Sequence, residues 1–152
     1  MKNILNPQDK AEILARLNCL SPDSRALWGT MNAGQAICHL NDELRHILGQ
    51  RSSENKPSFF LKHVIKNLIL LGMSIPKGKA KAHPNLAQEY KGTAPTNLEN
   101  DRRSLIANMD ALISKSADSK WHPNPLFGAM NKQQHGRMTY AHMNHHLQQF
   151  GV

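Results

Sequence analysis

Apolar residues recur along this chain at the helical period, in five stretches set apart by polar or proline-bearing segments. The first stripe is Ile13, Leu14 and Leu17. Asn6-Pro7-Gln8-Asp9 opens it, with a capping asparagine, a proline preset for the first helical position and an acid in the first turn; Ser21-Pro22-Asp23 breaks it. The second stripe follows an Asn32/Gln35 capping box and comprises Ala33, Ala36, Ile37, Leu40, Leu44, Ile47 and Leu48, predicting a helix to about Gly49. Phe59 to Leu71 is apolar over more than half its circumference, interrupted by Lys62, His63 and Lys66. It is too short and too charged to span a bilayer, so a buried or half-buried helix is expected, with a membrane-surface helix as the alternative. Leu98, Leu105, Ile106, Met109, Leu112 and Ile113 form the fourth face, capped by Asn97 and ending near Lys115. The last helix starts at Asn131 or Lys132 and closes at Gly151, with Tyr140, Met143, Leu147 and Phe150 as its apolar face.

Nothing alternates with period 2, no repeat is visible and no linker splits the chain, so the expected architecture is all-α, one domain over 1–152, a bundle of four or five helices with long irregular loops. The longest irregular stretch lies between Gly72 and Thr96, with Pro76, Pro84 and Pro95 and the lysines Lys77, Lys79, Lys81 and Lys91. It reads as a solvated basic loop or, alternatively, as a lid in which residues 73–96 border a ligand site. His122-Pro123-Asn124-Pro125 cannot be helical.

Charge adds a direction. Nineteen Lys and Arg against eleven Asp and Glu give a net +8, which favours anionic partners. No nucleic-acid motif is present and 5% aromatic residues leave little for base stacking, so nucleic acid is not the expected partner. No apolar run of about 18 residues exists, and the opening MKNILNPQDK lacks the apolar region of a signal peptide, so the expectation is a cytoplasmic chain without a membrane span. Cys19 and Cys38 are expected to be small buried hydrophobes rather than a disulfide.

Candidate chemistry lies with the histidines. His142 and His146 are four apart on the last helix, so both imidazoles leave one face and can meet one divalent ion; a third ligand must come from elsewhere. Gln149, one turn on, can orient a ligand or a substrate by hydrogen bonding. His135 and Thr139 share the same strip, and His145 lies just off it. On the 33–49 helix, Gln35, His39, Asp42 and His46 form a polar stripe, with His39 roughly 110° from the centre of the apolar one. That is the shoulder between core and solvent, where a bundle-core ligand and an ordinary surface histidine would both sit. Cys38 points away from His39 and is not proposed as nucleophile or ligand.

Met31-Asn32-Ala33-Gly34-Gln35 followed by His39, then a distant His142-x-x-x-His146 and Gln149, resembles the DinB-like superfamily. The run His145 to Gly151, together with Trp28-Gly29 and the His122-Pro123 to Phe127-Gly128 segment, is most similar to a branch of unknown function, domain-of-unknown-function family 1569. The resemblance implies a four-helix bundle whose divalent metal, zinc or nickel, is held by one histidine of the second helix and two of the last: His39, His142 and His146. It also places Gln149 at the substrate. The better-understood members resemble metal-dependent transferases of low-molecular-weight thiols such as bacillithiol, mycothiol or glutathione. Where they carry Arg-Gly before the trailing glutamine, this chain has Leu147-Gln148, which puts their substrate contacts, not the triad, in question.

The expected function is therefore a divalent-metal-dependent enzyme acting on a small, anionic molecule, with thiol transfer as the implied reaction and the basic loop or Arg102 as the attractor of carboxylates. A metal-dependent hydrolase, and a non-catalytic metal-binding or basic interaction protein, stay open beside it. A homodimer is the candidate assembly.

Overall fold

Each of the four long helices begins at an asparagine whose side-chain oxygen accepts amide hydrogens of the first turn. This takes up donors that helix geometry leaves without intrahelical partners. In the computed structural model, which describes residues 1–52, 58–77 and 92–152, these helices are α1 (Pro7–Asn18), α2 (Ala33–Ile47), α4 (Leu98–Ser114) and α5 (Lys132–Gln149). The caps are Asn6, Asn32, Asn97 and Asn131, the second and fourth as reciprocal capping boxes with Gln35 and Gln134. Between α2 and α4 lies α3, a π-helical turn Leu61–Ile65 running straight into the α-helical Lys66–Leu70. The described residues contain no strand, only an isolated bridge between Asn124 and Gly128, and the fold is an all-helical bundle.

The core lies where the stripes face one another. Ile13 and Leu17 of α1, Ile37, Leu44 and Ile47 of α2, Leu105, Met109 and Leu112 of α4 and Met143 and Leu147 of α5 are all fully buried. A smaller cluster joins Ile69 and Leu70 of α3 to Met130 and Met138. One expectation needs correction. Cys19 follows the last turn of α1 and is exposed; only Cys38 is buried, and burial pushes its thiol up to about 12. The Phe59–Leu71 stretch is half-buried, one of its expected forms: Ile65, Ile69 and Leu70 meet apolar partners while Phe59, Phe60, Val64, Leu68 and Leu71 are exposed.

The amino-terminal strap crosses α5 at Gly136. The Ile4 amide donates to the Gly136 carbonyl at 3.2 Å, and Asn3 Nδ2 donates to Gln133 Oε1 at 2.9 Å. A Cβ on Gly136 would collide with Asn3 Oδ1 and stand 2.7 Å from Leu5 Cγ. Helix propensity alone would make Gly136→Ala stabilising by about 1 kcal/mol. Overpacking at such a crossing costs about 1–3 kcal/mol, and here the displaced oxygen also accepts the Leu5 amide at 3.0 Å. Thermal unfolding of Gly136→Ala should therefore show a lower midpoint than the parent; a higher one would mean the strap yields freely.

Candidate metal centre

His39 leaves the middle of α2 and meets His142 and His146, one turn apart on α5. His142 Nε2 lies 3.1 Å from His39 Nε2 and 3.1 Å from His146 Nε2. Ring centroids are 4.8–5.0 Å apart and the ring planes cross at 72–84°, so the three imidazoles converge without stacking. One ligand atom from each lies within 4.8 Å of the others, close enough for all three to hold one ion. Nitrogens at about 2.0–2.1 Å from a tetrahedral ion are about 3.3 Å apart, so the observed spacing suits that geometry. His39 is not on a solvent-facing shoulder: at 4% exposure it is buried, as are Asp42 and His46 of the same stripe. A wheel describes one helix, whereas here α5 and the connectors fold over the polar side of α2. Asp42 accepts from Arg51 at 2.7 Å and from the Thr93 amide at 2.8 Å, and both nitrogens of His46 face carbonyl oxygens, of Arg51 and Pro123.

The far sides of two rings set the tautomers. His142 Nδ1 is hydrogen-bonded to Glu43, one turn after His39 on α2. Burial would raise the Glu43 carboxyl, but His142 beside it, with His39 and His135 adding to the effect, brings it below the ordinary carboxylate range. Glu43 is thus an acceptor, and His142 Nδ1 is the donor. His146 Nδ1 donates to Gln149 Oε1 at 2.8 Å, while Gln149 Nε2 donates to the Trp28 carbonyl at 2.7 Å. Burial, then the neighbouring His142 and His39, hold His146 well below its usual value, so it is a neutral imidazole. With Nδ1 of both rings protonated, two Nε2 lone pairs face each other at 3.1 Å, an arrangement that a shared cation satisfies.

Gly29 keeps Gln149 in place from outside. Its φ of +77° suits glycine, and a Cβ there would stand 2.7 Å from Gln149 Nε2. Gln149 is buried, and both ends of its amide are engaged by His146 and Trp28; as placed, it orients a histidine. His145 stays outside the triad, with its ring 5.9 Å from that of Trp28. Arg102 is engaged by Glu99 at 2.8 Å and by the Leu20 carbonyl at 2.6 Å. Of the 73–96 loop, Lys77 is described, its ammonium 4.8 Å over the Trp28 ring; Lys79, Lys81 and Lys91 fall outside the described residues.

Glu43 is the residue that reading the chain missed. Its signal was a carboxylate one turn from His39 and nearer the apolar stripe, roughly 80° from its centre, where an acid needs a partner. The part of the Trp28 carbonyl had no signal, since a backbone oxygen carries no residue identity.

A family model described as a protein of unknown function, DUF1569, matches residues 2–151. The chain belongs to the DUF1569 family. No curated protein and no solved structure matches it. In this DUF1569 chain the matched region includes α2 and α5 entire, and with them the three histidines, Glu43 and Gln149.

Two outcomes are expected. Truncating Glu43→Ala should weaken zinc binding by roughly 10–100-fold in a competing-chelator titration, with Gln149→Ala acting in the same direction; unchanged affinity in both would deny them an orienting part. The second concerns His135, which is fully buried on the same strip, stacked on Trp121, and makes no hydrogen bond of good geometry at either nitrogen. Burial lowers it from 6.5 to about 4. The unfolded chain therefore binds the extra proton between these values, and stability falls as pH drops through that window, by about 3 kcal/mol at its lower end. In urea titrations of metal-free protein, His135→Phe should flatten this acid slope; an identical slope would place the pH dependence elsewhere.

Proposed function

We propose that this DUF1569 chain is a DinB-like, divalent-metal-dependent enzyme in which His39, His142 and His146 hold one ion, and that its reaction is transfer of a low-molecular-weight thiol. The observation that carries the metal reading is the convergence of three histidines with Nδ1 of two fixed as donors. Three neutral imidazoles suit zinc or nickel better than magnesium or calcium, which prefer oxygen. Such an ion supplies a Lewis acid with an open position, at which a thiol loses its proton near neutral pH.

The chain's own residues do the rest. Glu43 and Gln149 keep the Nε2 lone pairs turned inward, and the Trp28–Gly29 turn keeps Gln149 from rotating away. His142 is the triad member with appreciable exposure, so substrate approaches on its side. Among the described residues no carboxylate pairs with Lys77 over Trp28, which leaves a positive charge near His145 for an anionic substrate. Thiol transfer over hydrolysis rests on the DinB-like resemblance.

Elemental analysis of the purified chain should find about one zinc or nickel per protein, lost in His142→Ala and His146→Ala, because two imidazoles rarely hold such an ion. Cobalt-substituted protein should then gain sulfur-to-metal charge-transfer absorption when a low-molecular-weight thiol is added. Metal without that absorption would remove thiol transfer and leave hydrolysis or a structural ion; no metal at all would remove the centre itself.

A further inference from the structure

Eight large hydrophobic residues are exposed among the described ones, and six of them fall between positions 59 and 73: Phe59, Phe60, Val64, Leu68, Leu71 and Met73. Exposed apolar side chains are ordinary when scattered, but a contiguous row points to something that covers it. Phe60, Val64, Leu68 and Leu71 stand three or four apart, on one side of α3. The opposite side, Ile65, Ile69 and Leu70, already packs on Met130 and Met138. This helix thus has two apolar faces and an internal partner for one. Phe60 at 59% and Leu71 at 77% exposure mark the two ends of the free row; Phe59, also exposed, stands about 100° from Phe60, its ring 4.5 Å from that of His63.

Charge selects the occupant. Residues 58–77 contain Lys62, Lys66 and Lys77 and no Asp or Glu. Lys66 Nζ donates to the Ala129 carbonyl at 3.3 Å, and the stem of Lys62 runs 3.5 Å from where a Cβ of Gly128 would be. Both lysines therefore flank the row on its protein side rather than interrupting it. An apolar stripe with basic flanks is the pattern of a helix lying in a bilayer interface, stripe in the acyl boundary and ammonium groups at the headgroups. A second copy fits less well, since a two-fold pairing on this row would bring like-charged flanks together on chains that each carry +8. Spanning is not at issue: no helix of the described residues is long and apolar enough to cross a membrane.

We propose that the outer face of α3 docks this protein onto an anionic lipid bilayer, with Phe60, Val64, Leu68 and Leu71 entering the acyl boundary. The inference is independent of the metal centre, and its test is as well. The intact protein should co-sediment with vesicles of phosphatidylcholine mixed with phosphatidylglycerol, bind phosphatidylcholine alone far less, and dissociate in high salt. Phe60→Ser combined with Leu71→Ser should lower the partition coefficient at least about tenfold, since two large side chains no longer leave water. Because both positions are exposed, the melting temperature should stay that of the parent, which separates lost docking from lost folding. Lys62→Gln should lower partitioning about fivefold, the worth of one lysine near an anionic surface. Absence of binding to the mixed vesicles, or equal binding by the double variant, would overturn the proposal. So would a dimer in light scattering that the same double variant converts to monomer, which would assign the row to self-association.

Discussion

The hydrogen bond between the Glu43 carboxylate and His142 Nδ1 is the constraint to which the centre of this molecule is tied. A carboxylate with 6% exposure between two helices is destabilising without a partner, and a neutral imidazole in the same place could point either nitrogen inward. Together they resolve both problems: the acid gains a donor, and the ring is left with its free lone pair facing His39 and His146. The bond also joins α2 to α5, so the pairing that sets the tautomer helps to set how these two helices face each other. Asn124 approaches the other carboxylate oxygen, Nδ2 to Oε1 at 3.4 Å, which brings the non-helical 122–128 segment to the same group.

Such a polar layer is expensive in stability. Asp42, Glu43, His46, His135, Thr139, His146 and Gln149 are all buried, in a chain whose apolar core must carry them. Most are satisfied, but both nitrogens of His135 and the hydroxyl of Thr139 are not. Breaking one member of a buried network leaves its partner without compensation, a larger loss than the net worth of the pair. A layer of this kind confers specificity more readily than strength, since few registers of α2 against α5 satisfy so many groups at once.

Much of this was legible in the chain. Asparagine caps announce the helix starts because a cap is a local interaction, and Asn6, Asn32 and Asn97 open helices as their surroundings predict. His142 and His146 were readable as a pair because helical spacing alone puts them on one face. Spacing alone puts His39 on the shoulder between core and solvent, and its burial depends on what lies across α2. Glu43 was missed for a related reason: its meaning comes from His142, 99 positions away. Phe59–Leu71 is the half-buried helix its composition allows, but which face packs was not legible, since an apolar wheel counts hydrophobic faces and not the partners available to cover them.

The Trp28–Gly29 turn reaches the centre by two routes of opposite generality. Residue 28 contributes a carbonyl oxygen to Gln149, which any amino acid could supply, whereas residue 29 contributes the absence of a side chain at positive φ. Between neighbours, the tolerance of substitution is thus inverted relative to size: the large aromatic is replaceable as far as Gln149 is concerned, and the smallest residue is not. The histidine arrangement in this chain accordingly depends in part on a position that bears no functional group, and a side chain there would disturb His146 through Gln149 while every polar residue of the centre remained in the sequence.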